Sequence, residues 1–281
     1  MILSTDSTAN LPKEYYEKLN IKMIPMQIVL NDTTYDDLSD NLPISEYYQQ
    51  MREGATPTTA QINEFASREY FEKLLESGED VLHICFSSAL SGTCATVKRV
   101  AEELNSIHSN KIYIIDSLNA SCGEGILVLK ALDLINEGKS IEEIKTEIEN
   151  LIPYICSYFT VEQLKYLVRG GRVGKFSGIV GTLLNIKPVL RVDENGKLVS
   201  YKKIISRKKS IAELANIASD KIADKKYVMI SHAECFEEAQ DLAQTLKETL
   251  DIEPIITDLT QVIGCHTGPG LIAVFFVGKE K

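Results

Sequence analysis

Apolar residues in this chain come in short uninterrupted runs and in stretches of helical periodicity, joined by turns rich in hydroxyl side chains. Val81-Leu-His-Ile-Cys-Phe86 is the clearest run, too short for a globular helix and suited to a buried strand. Ser87 to Thr93 is a small hydroxyl-rich turn. Beyond it Ala95, Val97, Val100, Ala101 and Leu104 recur at helical spacing, with Lys98, Arg99, Glu102 and Glu103 on the other face. The same order of strand, polar loop and helix recurs at Ile2 to Leu19 and at Lys111 to Ile135. Such alternation predicts a parallel sheet with helices on both faces and ligands outside the carboxyl ends of its strands.

Between these units, Ile21 to Leu30 reads as extended, Thr33 to Asn41 as a polar surface loop, and Ser45 to Arg52 as a short helix. Thr58 and Gln61 have the spacing of a capping box before a helix whose apolar face is Ile62, Phe65, Ala66, Phe71, Leu74 and Leu75, which would free Thr59 to point elsewhere. The helix Ile141 to Leu151 ends at Pro153, and a domain boundary is expected there, giving domains 1–153 and 154–281. The second half begins with a strand from Ile155 to Val161. A strongly apolar helix is expected over 179–186, then a hairpin turning at Asp193 to Gly196. A helix beginning at His232 and strands at Ile252 to Leu259 and Leu271 to Val277 complete it. Before the last strand stands Gly264-Cys265-His266-Thr267-Gly268-Pro269-Gly270, a tightly specified turn free of helix that holds His266 and Thr267.

Composition narrows the classes. The 281 residues, 44% hydrophobic and 25% charged, suit two soluble domains or one large one. A net charge of −10 argues against a nucleic-acid binder. No basic start followed by an apolar block precedes Asp6, so no signal peptide is expected, and Leu271 to Val277 is too short to span a membrane. The six cysteines sit singly with no CxxC pair, as reduced cytoplasmic thiols do. No cofactor motif appears: Val128 stands where a dinucleotide fingerprint needs its third glycine, and Gly174-Lys175 lacks the rest of a phosphate loop. The four histidines (83, 108, 232, 266) have no metal-ligand spacing.

Two functions remain open for Ser91. It caps the helix that follows, as serine favours, or with Gly92 and Thr93 it receives an anion on unpaired backbone N–H groups at a helix start. One serine can do both.

Five stretches then fall into a pattern: STDSTANLP (4–12), SSALSGT (87–93), IDSLNASCGEG (115–125), LVRGGRVGKFSGIVGTLLNIKPVL (167–190) and GCHTGPG (264–270). Together, in order and across nearly the whole chain, they resemble the DegV family. The resemblance implies an N-terminal α/β domain with a parallel sheet and a C-terminal α/β domain with a mixed sheet, holding one long-chain fatty acid, such as palmitate or oleate, between them. It also implies a partner, a separate fatty acid kinase that phosphorylates the bound carboxylate, and no catalytic residue in the carrier. The family's carboxylate contacts carry over to Thr59, Ser91 with Gly92, and His266, with Ser88, Ser121 and Thr267 as neighbours. Thr59 lies in a stretch that departs from the family pattern, since Ala60 replaces a serine and Ile62 a proline, and Thr58 is its rival. Arg172 and Lys203, from two clusters of basic residues (169–175 and 202–209), are candidates for partner docking or phosphoryl transfer. The competing expectation is a serine hydrolase or an acyl or phosphoryl transferase acting on a small lipid through Ser91, His266 and Asp6 or Asp116, although Ala89 stands where a nucleophile elbow needs its first glycine.

Overall fold

The short apolar runs at Ile2, Val81 and Ile112 become strands, and the hydroxyl-rich stretches after them become loops. The computed structural model describes residues 1–172 and 186–281. Along the first half the strands are β1 (Ile2–Asp6), β2 (Lys22–Ile24), β3 (Gln27–Leu30), β4 (Thr33–Asp36), β5 (Thr58–Ala60), β6 (Val81–Cys85) and β7 (Ile112–Asp116). The helices between and after them are α1 (Lys13–Lys18), α2 (Ile44–Arg52), α3 (Glu64–Leu75), α4 (Thr93–Ile107), α5 (Cys122–Asn136) and α6 (Ile141–Leu151). In the second half β8 (Ile155–Thr160) and α7 (Lys165–Gly170) precede β9 (Val189–Val192), β10 (Leu198–Lys202) and α8 (Arg207–Lys221). Then come β11 (Ile222–His232), α9 (Phe236–Leu250), β12 (Ile255–Asp258), α10 (Gln261–Thr267) and β13 (Ile272–Gly278).

The first sheet has the order β2-β1-β6-β7 and every pair is parallel. Every residue of β6 is buried, as a strand covered on both faces requires. The register sets Thr5 beside Ile84 and Cys85 beside Asp116, so the strands end together at one edge. The hydroxyl-rich loops after β1, β6 and β7 therefore converge. Asp6 ties two of them, its carboxylate accepting from the Thr8 N–H at 2.9 Å and the Phe86 N–H at 3.0 Å. The Ser87 N–H reaches the Asn119 carbonyl at 3.0 Å and joins the third.

The second sheet is mixed, in the order β10-β9-β8-β13-β11-β12, with only the β11–β12 pair parallel. Alternation along its strands divides two cores. Cys156, Tyr158, Ile230, Val274 and Phe276 face α8 and α9, whereas Phe159, Met229, Ala273 and Phe275 face the opposite way, towards α5. Helix α5 packs on both sheets, and Ile126 to Leu129 are all buried. A helix apolar all round is one enclosed on all sides. A small antiparallel sheet, β4-β3-β5, completes the described fold and sets Thr59 opposite Ile28.

Several local expectations give way to longer-range contacts. Residues 33–41 are not simply a surface loop: β4 pairs with β3, and Asp37 is buried, accepting from the Val262 N–H at 3.2 Å. Thr58 is no helix cap, because it lies in β5. Asn63 caps α3 instead, accepting from the Ala66 N–H at 2.9 Å. With the helix starting there, Ser67, Phe71 and Leu75 make its buried stripe, and Phe65, about 120° away around the helix, is exposed. Helix α5 takes in Gly123 and Gly125, which fit against the Asn119 and Ser157 side chains and the Ala9 carbonyl, where a Cβ would collide. At His232 a helix start was expected, yet β11 runs through that residue and α9 begins at Phe236. Among the described residues no helix is long and apolar enough to cross a membrane. All six cysteines are free thiols, and no described group of three His, Cys, Asp or Glu side chains gathers to hold a metal.

His83, in the middle of β6, gives the fold a pH dependence. Its Nδ1 lies 2.9 Å from the Ser4 hydroxyl, its Nε2 has no partner, and burial pulls its pKa down to about 3. The unfolded chain takes up a proton near pH 6.5 that the fold refuses, so this stability is complete above that pH and is lost as the pH falls through 6.5 towards 3. Asp37, raised by burial to about 7, and Glu124, raised well above the usual carboxyl range, titrate in the opposite sense. The informative quantity is therefore the difference between wild type and His83→Gln. Between about pH 7.5 and pH 5, wild type is expected to lose roughly 2 kcal/mol more than the variant in urea unfolding. Equal losses would show that His83 is protonated in the fold.

Candidate functional site

Where the loops of the parallel sheet meet the inner face of the mixed sheet, they leave a cavity of about 280 Å³. That is near the small end of the range for small-molecule sites. Its apolar wall includes Phe159 of β8, Ala273 and Phe275 of β13, Val192 of β9, Leu198 of β10, and Phe86 and Leu90 from the loop after β6. Thr59, Ser91, Gly92, Arg172, His266 and Thr267 line it as polar or backbone groups.

Each polar residue is placed by its element. Thr59 is held by the β3–β5 pairing, and its hydroxyl lies 2.9 Å from His266 Nε2. His266 is not in a helix-free turn. It sits in the last turn of α10, and only Gly268 and Gly270 take the left-handed backbone expected of that motif. Gly264 lies inside this helix because the Tyr48 ring occupies the space a side chain would need. Gly170 likewise gives room to the His266 ring, and Gly268 to the Tyr166 ring. At the start of α4 the cap position is Gly92, not Ser91. Ser91 nevertheless accepts from the Thr93 N–H at 3.2 Å and lies 3.0 Å from the Thr93 hydroxyl, to which it donates. It thus steadies the helix start and lines the cavity together.

Burial first, then the nearby Arg172 and Arg169 guanidinium groups, bring the His266 pKa down to about 4. The ring is therefore neutral at pH 7. Its Nδ1 has no hydrogen-bond partner, so we assign the proton to Nε2, which donates to the Thr59 oxygen. The Thr59 hydroxyl hydrogen is then free to point at a ligand. Arg172 donates from Nη1 to the Gly170 carbonyl at 2.6 Å and reaches the Leu90 carbonyl at 3.5 Å, joining the segment after α7 to the loop before α4. Hydroxyl groups, the amino end of a 15-residue helix and a nearby guanidinium lie beside an apolar wall, an arrangement able to offer hydrogen bonds and positive charge to a small anion.

The groups of a serine nucleophile are not assembled among the described residues. Ser91 bonds to Thr93 and His266 to Thr59, and no hydrogen bond joins Ser91 to His266. Asp6 is engaged by Thr8 and Phe86, and Asp116 by the Ser88 and Leu118 N–H groups.

Of the other candidates, Ser121 and Thr267 line the cavity, whereas Ser88 is exposed outside it. Thr58 lies on the opposite side of β5 from Thr59 and does not line it. Lys203 is exposed beyond β10, away from the cavity. In its cluster Lys202 pairs with Glu213 and Arg207 with Glu238, so the basic charge is partly neutralised within the fold. The apolar segment 179–186 lies, except for Ile186, outside the described residues. Gln61, expected only as a capping-box residue, also lines the cavity, as do Ser157 and Ser231, which were not expected there. The signal for the two serines was a lone hydroxyl on the inward face of an otherwise apolar strand.

Comparison with known proteins gives a consistent picture. Residues 2–279 match the family described as "Uncharacterised protein, DegV family". A DegV domain-containing protein of Clostridium perfringens is 37% identical over 285 aligned residues, covering 100% of this chain and 98% of its own length. Among solved structures, DegV of Bacillus subtilis, described as a fatty acid binding protein, superposes with a TM-score of 0.86 at 30% identity, covering 98% of this chain and 97% of its own. A fatty acid binding DegV family protein of Streptococcus agalactiae gives a TM-score of 0.88 at 29% identity, covering 100% of this chain and 99% of its own.

Proposed function

This chain belongs to the DegV family, and on that basis we propose that it is a carrier which holds one long-chain fatty acid, such as palmitate or oleate, and presents its carboxylate to a separate fatty acid kinase. The observation that carries the proposal is the cavity itself, with an apolar wall along one side and the Thr59–His266 pair beside Ser91 along the other. An acyl chain gains roughly 0.8 kcal/mol for each methylene it buries. Over a chain of about sixteen carbons, that gross gain is on the order of 10 kcal/mol before ordering costs. The carboxylate accepts from the Thr59 hydroxyl and from the Ser91 hydroxyl, whose one hydrogen turns from Thr93 to the ligand, and it lies near the Gly92 backbone at the start of α4. Neutral His266 orients Thr59. The free thiols support a reducing, cytoplasmic setting. Titration of lipid-stripped protein with palmitate or oleate tests the carrier role: saturable binding of one molecule per chain is expected, and no binding of either acid contradicts it.

The kinase step falls to Arg172. This side chain is exposed, lines the cavity and is bonded to backbone carbonyls, which supports a role for its fixed charge in meeting a phosphoryl group brought to the bound carboxylate. Arg172→Ala is expected to keep fatty acid binding and to lose acyl phosphate formation by a cognate kinase supplied with ATP. Retention of both would remove Arg172 from the transfer step. Lys203 serves the docking surface in this proposal, and its replacement should weaken the kinase complex without touching the lipid.

A further inference from the structure

The inner wall of the cavity is not uniformly apolar. Ser121, Ser157 and Ser231 all line it, and each is at least 96% buried. Ser157 has a good partner, donating to Asn119 Oδ1 at 2.6 Å. The other two do not. The Ser121 and Ser231 hydroxyls are 3.5 Å apart, at the limit of a hydrogen bond, and the other contact of Ser121 is the Cys122 sulfur at 4.0 Å. Both contacts lie at the limit of hydrogen bonding, so the two hydroxyls hold their hydrogens and lone pairs only weakly and can turn them to a group in the cavity.

The position of Ser121 makes this more pointed. It is the cap residue of α5, where a serine normally turns its oxygen back to the helix N–H groups. Ser140 and Ser206 do so at α6 and α8, but Ser121 makes no such bond. Its backbone, at φ 54° and ψ −144°, lies in a region that glycine takes readily and serine rarely does. That conformation holds a hydroxyl against the cavity, away from the helix it precedes. A saturated chain lying along this wall would cover these hydroxyls without satisfying them.

We propose that Ser121 and Ser231 form a second polar station that binds a hydroxyl group carried on the acyl chain, so that the preferred ligand is a hydroxy fatty acid. The inference rests on the carrier function proposed above, with the carboxylate at Thr59, Ser91 and His266. A chain hydroxyl both donates and accepts, and it completes the pair: it accepts from the hydroxyl whose hydrogen is free and donates to the lone pair of the other.

The test is competition among octadecanoate, 10-hydroxyoctadecanoate and 12-hydroxyoctadecanoate for lipid-stripped wild type, Ser231→Ala and Ser121→Gly. Glycine is used at 121 because it accepts that backbone without strain. Wild type is expected to bind at least one of the hydroxy acids about tenfold more tightly than octadecanoate. In each folded variant, checked by its unfolding midpoint, that ratio should fall towards one. A wild type that binds octadecanoate as tightly as both hydroxy acids overturns the proposal and leaves the carrier function standing. So does a preference that survives in both variants. A wild type that binds none of the three overturns the carrier function and this inference with it.

Discussion

Ser91→Ala, Thr59→Ala and His266→Ala are each expected to weaken fatty acid binding by about ten- to a hundredfold, the effect of losing a hydrogen bond to a charged acceptor, roughly 1.5–3 kcal/mol. The cause differs from site to site. Ser91 loses a direct donor and also the bond that steadies the Thr93 N–H. Thr59 loses the hydroxyl facing the ligand. His266 acts through Thr59, 2.9 Å away, so the Thr59→Ala/His266→Ala pair should cost clearly less than the sum of the two single changes. Thr58→Ala, altered on the outer side of β5, should bind as wild type does. Equilibrium titration of stripped protein with oleate measures all of these. Full additivity would mean that Thr59 and His266 meet the carboxylate independently. A loss in Thr58→Ala with none in Thr59→Ala would transfer the role to Thr58.

Gly268→Ala should produce the largest loss of stability of any single methyl addition near the site. Two effects coincide there. Gly268 has φ +79°, where an alanine is strained, and the added Cβ would enter the Tyr166 ring, which is itself buried. Left-handed strain and overpacking together amount to roughly 2–5 kcal/mol. Because the residue closes α10 immediately after His266 and Thr267, what protein still folds should also bind fatty acid poorly. Gly138→Ala is the control: its φ is +79° too, but open space surrounds it, so only the backbone strain applies. Urea midpoints for the two variants separate the effects, and equal midpoints would show that the Tyr166 ring yields without cost.

Where local pattern and long-range contact agree, the fold could be read directly. The run at Val81 and the helical spacing from Ala95 to Leu104 became β6 and α4 because both bury the faces their periodicity defines. Helix α10 was hidden because Gly264 lowers helix propensity, while its reason for being there, the Tyr48 ring, comes from α2 more than 200 positions away. Asp37 looked like loop polarity for the same reason, since the N–H it accepts from belongs to Val262. The candidate site shows this division most sharply. Thr59 and His266 lie 207 positions apart, and no spacing rule joins them. Residue chemistry found the Ser91 loop and the glycine-framed His266 separately, and the family resemblance supplied the link between them. Ser121 came only from the resemblance, as a neighbour of the site, and Ser231 stayed hidden because a serine near the end of a strand reads as a turn.

The most direct test of the carrier function is mass spectrometry of an organic extract of the protein as purified, calibrated against protein concentration. The account expects a long-chain fatty acid at close to one molecule per chain, and restoration of that ratio when stripped protein is offered palmitate or oleate. An extract without any acyl chain, from protein that also takes up neither added acid, would contradict it.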